Sequence, residues 1–302
     1  MNGFFGETIM KKAYLCAAVS IFCWSTVATT CKILLRELNN LQLLWMNSLI
    51  AGLFLLILNI CLGNFKKYKD YKAKDYFTMV AIGIPGTIFY YMLYYAGTDI
   101  LPASQAFIIN YLWPIMCVLF ACIILKEKLT IKKIIAILIS FAGVIVVIGA
   151  DLKSFNVQML SGALCCVLGA VSYGIFTALN QKMNYNKSMT LMVSYFASFI
   201  TTTIVNLING DIFMPAPDQM LGFVWNGVFT VAIANTLWVT ALEKGNTGKI
   251  SNLAYITPFL SLVWTFLFLN EKIRWNSLVG LVIIIAGILI QLKDKKKLHE
   301  CK

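Results

Sequence analysis

Apolar residues along the chain are grouped into ten blocks, which short polar connections separate. Each block approaches the roughly 20 residues that an α-helix needs to cross the hydrocarbon core of a bilayer. The pattern predicts an all-α integral membrane protein. We place its ten transmembrane helices at about residues 13–30, 43–62, 76–96, 102–125, 131–149, 160–179, 189–208, 221–242, 250–269 and 277–292.

The second half of the chain repeats the first at an offset of 144 residues. This offset places Tyr111, Pro114, Leu125, Glu127, Lys128, Ile139, Ala142 and Gly143 on Tyr255, Pro258, Leu269, Glu271, Lys272, Ile283, Ala286 and Gly287. Five is an odd number of helices, so the second copy must cross the membrane upside down relative to the first. We predict two inverted five-helix repeats, in residues 1–150 and 151–302, a plan that many secondary transporters use.

Basic residues in the connections predict the orientation of the chain. If the N-terminus is cytoplasmic, 20 of the 25 Lys and Arg residues lie on the cytoplasmic side. Membrane proteins concentrate Lys and Arg in their cytoplasmic loops. We therefore expect both termini in the cytoplasm of a multi-pass protein of the cell membrane.

Composition excludes several other classes of protein. The chain is 60% hydrophobic and 13% charged, with a mean hydropathy of +0.79, which is too apolar for a soluble domain. The net charge of +12 comes from residues between the apolar blocks, so it indicates a membrane protein and no nucleic-acid partner. Eight of the nine Cys residues lie in or beside apolar blocks and the single His lies in the tail, so we predict no metal, cofactor or disulfide framework.

The fourth block contains an unusual polar and aromatic stretch, Asn110-Tyr111-Leu112-Trp113-Pro114. Pro114 has no N–H, so the carbonyl of Asn110 loses its helical partner. In hydrocarbon that carbonyl must find another partner. Either neighbouring helices repair a kinked core helix, or the break lines a cavity in the membrane. Pro258 occupies the equivalent position in the other half, and we predict a helix break at both prolines.

The polar side chains deep in the predicted helices are neutral, whereas the acids lie in loops or at helix ends. Amides, hydroxyls and aromatic faces suit a zwitterion or a neutral polar solute, because an ammonium group can rest on aromatic rings and a carboxylate can accept from Trp, Tyr or Asn donors. Asn110, Tyr111 and Trp113, at the break in the fourth block, are groups of this kind.

Four motifs resemble the drug/metabolite transporter superfamily, in its ten-helix EamA-type branch, over nearly the whole chain. They are Phe22-Cys23-Trp24-Ser25-Thr26, Asn110-Tyr111-Leu112-Trp113-Pro114, Gly245-Asn246 and Tyr255-Ile256-Thr257-Pro258. Within that branch the motifs look most similar to those of bacterial aromatic amino-acid exporters. The resemblance implies two inverted bundles around a central cavity, lined by helices three, four, eight and nine and flanked by helices one and six. From this lining and the neutral polar chemistry we predict ten substrate-binding residues: Trp24, Tyr90, Tyr91, Asn110, Tyr111, Trp113, Tyr173, Asn235, Trp238 and Tyr255.

The function that we predict is export of small metabolites, above all amino acids and aromatic ones among them, by alternating access. A carrier for a drug, a sugar or a lipid precursor is the alternative; a phosphorylated substrate would require embedded Lys or Arg. An integral-membrane enzyme would need paired carboxylates, a His cluster or an activated nucleophile, and the sequence offers none of these. The oligomeric state stays open, with a monomer as one choice.

Other polar and small residues have simpler interpretations. We assign Tyr94, Tyr95 and Trp275 to interfacial aromatic belts and expect Lys32 to extend to the membrane surface. The side chains of Asn110 and Asn235 could equally form structural hydrogen bonds between helices. We expect Glu127 and Glu271 to form loop caps or ion pairs, and Gly143 and Gly287 to allow close helix packing.

Overall fold

The computed structural model describes residues 2–64, 70–149, 157–245, 250 and 253–300, with side chains described except at 2–9, 149, 239, 243 and 291–300. The boundary predicted near residue 150 and the residues Asn246 and Asn252 lie outside these ranges. Eight helices in the described part are long and apolar enough to cross a membrane, and two shorter apolar helices follow. The predicted ten-helix membrane fold is confirmed.

The ten apolar stretches are named α1 to α10 in chain order. They span Met10–Leu34, Asn40–Cys61, Ala73–Ile100, Ala103–Ile124, Ile131–Ile148, Val157–Lys182, Lys187–Asn209, Pro217–Leu242, Ala254–Leu269 and Trp275–Ile290. Helical backbone extends beyond several of these bounds, to Lys244 after α8 and to Glu300 after α10. Connections are short wherever the structure describes them, as the sequence predicts.

Five of these stretches change helical geometry within their length. The segments are Asn2–Ser25 and Val27–Leu34 in α1; Ala73–Gly83, Ile84–Phe89 and Tyr90–Ile100 in α3; Ala103–Asn110 and Trp113–Ile124 in α4; Pro217–Val224, Trp225–Ile233 and Ala234–Lys244 in α8; and Ala254–Ile256 and Thr257–Leu269 in α9. The middle segments of α3 and α8 are π-helical, a geometry that often occurs at functional sites. The first segment of α9 is a short 3₁₀ turn.

The principal helix contacts keep their pattern when the two halves are exchanged. α2 packs on α7 and α5 on α10, while α1 packs on α8 and α3 on α6. The second segment of α4 packs on α6, and α9 packs on α1. Adding five to every helix number of the first half, and subtracting five from the second, reproduces the same set of pairs.

The contact between α5 and α10 depends on glycine. A Cβ atom on Gly143 would lie 2.8 Å from the carbonyl oxygen of Gly280, and one on Gly287 would lie 2.7 Å from that of Ala136. Real Cβ atoms do not approach a backbone oxygen so closely, so neither position tolerates a side chain without moving a helix. The prediction that Gly143 and Gly287 are close-packing positions is confirmed.

The ends of α4 and α9 share a conformation. Lys126 follows α4 with a φ of 59°, and Asn270 follows α9 with a φ of 54°. The next residue in each copy donates its N–H back into the preceding helix, Glu127 to the oxygen of Ala121 at 3.4 Å and Glu271 to that of Thr265 at 3.3 Å. The left-handed residue lets the chain leave the helix while the last carbonyls keep a partner.

Candidate functional site

A cavity of about 310 Å³ lies between the helices, at the lower end of the volumes of small-molecule sites. Nine of the ten predicted site residues line it: Trp24, Tyr90, Tyr91, Asn110, Tyr111, Trp113, Tyr173, Asn235 and Trp238. Tyr255 is the exception. Its neighbours Ala254 and Thr257 line the cavity, while its own ring packs against the apolar core behind the wall. No charged side chain lines this cavity in the described part of the chain.

The break in α4 presents polar groups to the cavity. The first segment ends at Asn110, a turn follows at Tyr111 and Leu112, and Pro114 lies in the first turn of the next segment, where no helical N–H is required. The amide nitrogen of Asn110 donates to the hydroxyl of Tyr90 at 3.0 Å. The hydroxyl of Tyr111 donates to the carbonyl of Ala254 at 2.7 Å, so the break in α4 is bonded to the start of α9.

Aromatic rings form most of one wall. The rings of Tyr90 and Tyr173 lie 4.9 Å apart, and Trp113 meets Tyr173 edge to face at 5.5 Å. These distances suit favourable aromatic pairs. On α1 and α8, Trp24 and Trp238 lie 5.2 Å apart. The wall is therefore preformed by ring contacts between helices and presents aromatic faces and edges to whatever occupies the cavity.

The belt assignment of Tyr94 and Tyr95 was wrong. Their side chains are only 1% and 2% exposed, and both line the cavity. The reason lies in the packing of α3 on α6, where a Cβ on Gly97 would lie 2.3 Å from the Cys166 sulfur. This close approach buries the end of α3 and directs its tyrosines inward. Trp275 is 82% exposed, as a lipid-facing belt residue would be.

Several cavity residues were missed by sequence reasoning. Cys31, Tyr195, Asn226 and Thr230 line the cavity but were not chosen as site residues. Asn226 carries a signal that could have identified it, because it is an amide within an apolar stretch at the level of the first π-helical turns of α8. Cys31 and Thr230 carry no comparable signal, since small residues of both types are common in membrane helices.

Three asparagine side chains around the cavity have an oxygen without a hydrogen-bond partner. Asn47 donates its amide nitrogen to the Tyr95 hydroxyl at 2.9 Å, and Asn226 donates to the Cys31 sulfur at 3.7 Å. The side-chain oxygens of Asn47, Asn110 and Asn226 are buried and have no hydrogen-bond partner. Buried polar groups without partners are uncommon and costly, so these oxygens would gain a hydrogen bond from a donor that a bound molecule or water brings. Asn235 differs, since its amide nitrogen bonds the Val231 carbonyl within its own helix and its side chain is exposed.

Charged residues lie outside the cavity, where they cap helices and form ion pairs. The Glu271 carboxylate accepts from the N–H groups of Ala103 and Ser104 at 2.7 and 3.0 Å and from the Ser104 hydroxyl at 2.6 Å, which caps α4. Glu127 forms an ion pair with Lys133 at 3.2 Å. The predicted cap or ion-pair roles of both acids are confirmed.

Lys32, which we expect to extend to the membrane surface, donates from its ammonium group to the carbonyls of Thr98, Asp99 and Leu101 at 2.5, 2.8 and 2.9 Å. These carbonyls end α3 and have no partner further along the helix, so a cation stabilises them. Within the described residues, no group of three or more His, Cys, Asp or Glu side chains is arranged to hold a metal.

The helical fold and the central cavity define a multi-pass membrane protein with a small-molecule site. The chain belongs to the EamA-like transporter family, which it matches twice, over residues 11–149 and 160–292. It is thus a membrane transporter that acts on a small-molecule substrate.

Individual relatives agree with this family. The chain is 25% identical to an uncharacterized transporter of Clostridium kluyveri over 303 residues, with 97% of each chain covered. It is also 25% identical over 183 residues to the aromatic amino acid exporter YddG of Ancylobacter novellus, which covers 59% of this chain and 63% of the exporter. A solved crystal structure shares the fold with a TM-score of 0.66 and 19% identity, covering 95% of this chain and 99% of that one.

Proposed function

We propose that this transporter exports amino acids, aromatic ones among them, and that it acts as a carrier and not as an enzyme. The observation that carries the proposal is the lining of the cavity, which combines aromatic rings with amides and hydroxyls and includes no charged side chain among the described residues. A zwitterion has no net charge, and its two charged ends can be bound by hydrogen bonds and aromatic faces of the kind that line this cavity. Similarity to an aromatic amino acid exporter supports the same substrate class.

A phosphorylated substrate is a poorer fit to this lining. Phosphate groups are bound in proteins by Arg or Lys, and neither lines the cavity in the part of the chain that the structure describes. A carrier for an uncharged drug or sugar is the second candidate. The rings of Tyr90, Tyr173 and Trp113 favour it as well, because an aromatic wall binds apolar and sugar surfaces alike.

We infer that the two halves, residues 1–150 and 151–302, are inverted repeats that rock against each other. Two observations support this inference. The pattern of helix contacts stays the same when the two halves are exchanged, and the family matches the chain twice. Rocking would open the cavity alternately to each side. Gly143 and Gly287 lie where α5 and α10 cross, so this contact would persist as a pivot while the cavity changes shape.

The basic residues support an orientation with both termini in the cytoplasm of a cell-membrane protein, since 20 of the 25 would then be cytoplasmic. In this orientation the exposed residue Asn235 lies toward the cytoplasm and the buried Asn47 lies toward the outside. The cavity would then load from the cytoplasm, as export requires. Accessibility tags at both termini of intact cells test this, and an external signal from either terminus would contradict it.

Uptake into proteoliposomes tests the substrate class. The purified protein is offered a panel of labelled amino acids, an uncharged drug and a hexose phosphate, with and without a pH gradient. We expect aromatic amino acids to be taken up and the hexose phosphate to be excluded. Trp113→Ala should reduce uptake by about tenfold, because loss of a buried aromatic contact costs about 1.4 kcal/mol or more.

Trp275→Ala is the matched control, because Trp275 is 82% exposed and lies outside the cavity. It should transport like the parent protein. Uptake of no amino acid in the panel would refute the substrate class. Equal activity of Trp113→Ala and the parent would refute the role of Trp113 in binding.

A further inference from the structure

One pole of the cavity contains a row of four polar side chains from four helices. The amide nitrogen of Asn47, on α2, donates to the hydroxyl of Tyr95, on α3, at 2.9 Å. The amide nitrogen of Asn226, on α8, donates to the sulfur of Cys31, on α1, at 3.7 Å. Cys31 and Tyr95 belong to one buried cluster, so the two pairs are neighbours. All four side chains line the cavity, so the row is a continuous part of its wall.

This pole is closed to solvent. Asn47 is 7% exposed and Asn226 is 5% exposed, and Tyr95 and Cys31 are more deeply buried. Asn235, which also lines the cavity, lies nine residues further along α8 and is exposed. The row therefore forms the inner end of a cavity that opens near Asn235, and a bound molecule would place one of its ends against the row.

Two hydrogen-bond acceptors in the row have no partner in the protein. The side-chain oxygens of Asn47 and Asn226 are buried and unpaired, whereas each nitrogen is already used within the row. An unpaired buried polar atom costs about 1–3 kcal/mol, so a donor supplied by the substrate would recover that energy. The free atoms are acceptors, which selects a ligand group that brings N–H donors.

An ammonium group has the matching chemistry. It carries three N–H donors and no acceptor, and it is attracted to aromatic faces such as those of Tyr94 and Tyr95, which line the same region. A carboxylate would place its oxygens against the free oxygens of the amides and would be repelled. Asn110 also has a free oxygen, but it stands alone on α4, whereas Asn47 and Asn226 belong to one row.

We propose that Asn47 and Asn226 bind the α-ammonium group of the transported amino acid at the closed pole of the cavity. This assignment rests on the proposed amino-acid substrate. It fixes the orientation of that substrate, with its ammonium group at the row and the rest of the molecule extending along the aromatic wall toward Asn235. Neither asparagine was chosen as a site residue from the sequence.

A comparison of ligands and variants tests the assignment. Phenylalanine, 3-phenylpropionate, which lacks the ammonium group, and phenethylamine, which lacks the carboxylate, are titrated against the purified protein and against Asn226→Ala and Asn47→Ala. Each substitution should weaken phenylalanine and phenethylamine by about tenfold, or 1.4 kcal/mol. The same substitutions should change the affinity for 3-phenylpropionate by less than about threefold, since that ligand offers the row no ammonium group.

Asn206→Ala is the control for removal of a buried amide. Asn206, on α7, is fully buried and both polar atoms of its side chain are without partners, but it does not line the cavity. This variant should bind all three ligands like the parent. Asn226→Asp gives a second test with the opposite sign, since it should raise the affinity for phenethylamine and lower the affinity for 3-phenylpropionate. A monodisperse elution profile verifies that each variant is folded.

The outcomes separate this assignment from the proposed function. If the parent transports phenylalanine but Asn47→Ala and Asn226→Ala weaken 3-phenylpropionate as much as phenylalanine, the ammonium site is refuted and amino-acid transport is not. Selective weakening of 3-phenylpropionate would also refute it, since the row would then bind the carboxylate. If the parent neither binds nor transports any amino acid, the proposed function is refuted and the assignment with it.

Discussion

Removal of the Glu271 carboxylate should destabilise the protein more than any other single change of a loop acid in the described chain. Glu271 precedes α10 and accepts three hydrogen bonds from Ala103 and Ser104 at the start of α4. Loss of an N-cap costs about 0.5–2 kcal/mol, and hydrogen bonds to a charged group contribute about 1.5–3 kcal/mol. For Glu271→Ala we expect a loss of about 2–4 kcal/mol in the free energy of unfolding.

Glu127 provides a matched control, because it occupies the same position in the first half of the sequence. Its carboxylate is 36% exposed and pairs at 3.2 Å with Lys133, which is 6% exposed and whose ammonium group also donates to the carbonyl of Lys128 at 2.9 Å. A partly exposed pair of this kind contributes about 0–1 kcal/mol. Glu127→Ala should therefore lose less than about 1 kcal/mol, although the two substitutions remove the same chemical group.

Equilibrium unfolding in mixed micelles measures both losses, with tryptophan fluorescence as the signal and increasing SDS as the denaturant. A third variant, Glu271→Gln, removes the charge and keeps one acceptor oxygen, so its loss should fall between those of the alanine variants. If Glu127→Ala and Glu271→Ala lose the same free energy, the cap on α4 does not have the strength that its geometry indicates.

Two further substitutions test the contacts between the halves. Gly287→Val should cost about 1–3 kcal/mol of stability because its Cβ would overlap the carbonyl of Ala136; an unchanged unfolding midpoint would contradict the tight crossing of α5 and α10. Tyr111→Phe removes the 2.7 Å bond to Ala254, which should lower the free energy of unfolding by about 1 kcal/mol and slow uptake. Uptake at the parental rate would show that this bond does not position the α4 break.

Hydropathy was sufficient to predict the helices, because the bilayer imposes a length and composition on each one. The proline break in α4 with the aromatic residues beside it, together with the family resemblance, pointed to nine residues of the cavity wall. These residues stand out because a broken helix and a mid-span amide are both costly in hydrocarbon.

Which face of each helix points into the cavity could not be predicted in the same way. Tyr94 and Tyr95 belong to the cavity because α3 packs closely on α6 at Gly97, a contact between distant parts of the sequence. Asn226 lies in a π-helical segment, where the wider turn changes which residues share a face. Neither the packing nor the extra width is encoded in the periodicity of a single helix, so these residues required the structure.

Counterflow in proteoliposomes tests the central claim most directly. Vesicles containing the protein are loaded with one unlabelled solute and placed in a trace of labelled phenylalanine. Loading with zwitterionic aromatic amino acids should drive transient accumulation of label, whereas loading with a hexose phosphate should not, because the cavity has no described cation to bind phosphate. Accumulation driven by the hexose phosphate, with none driven by an amino acid, would contradict the account.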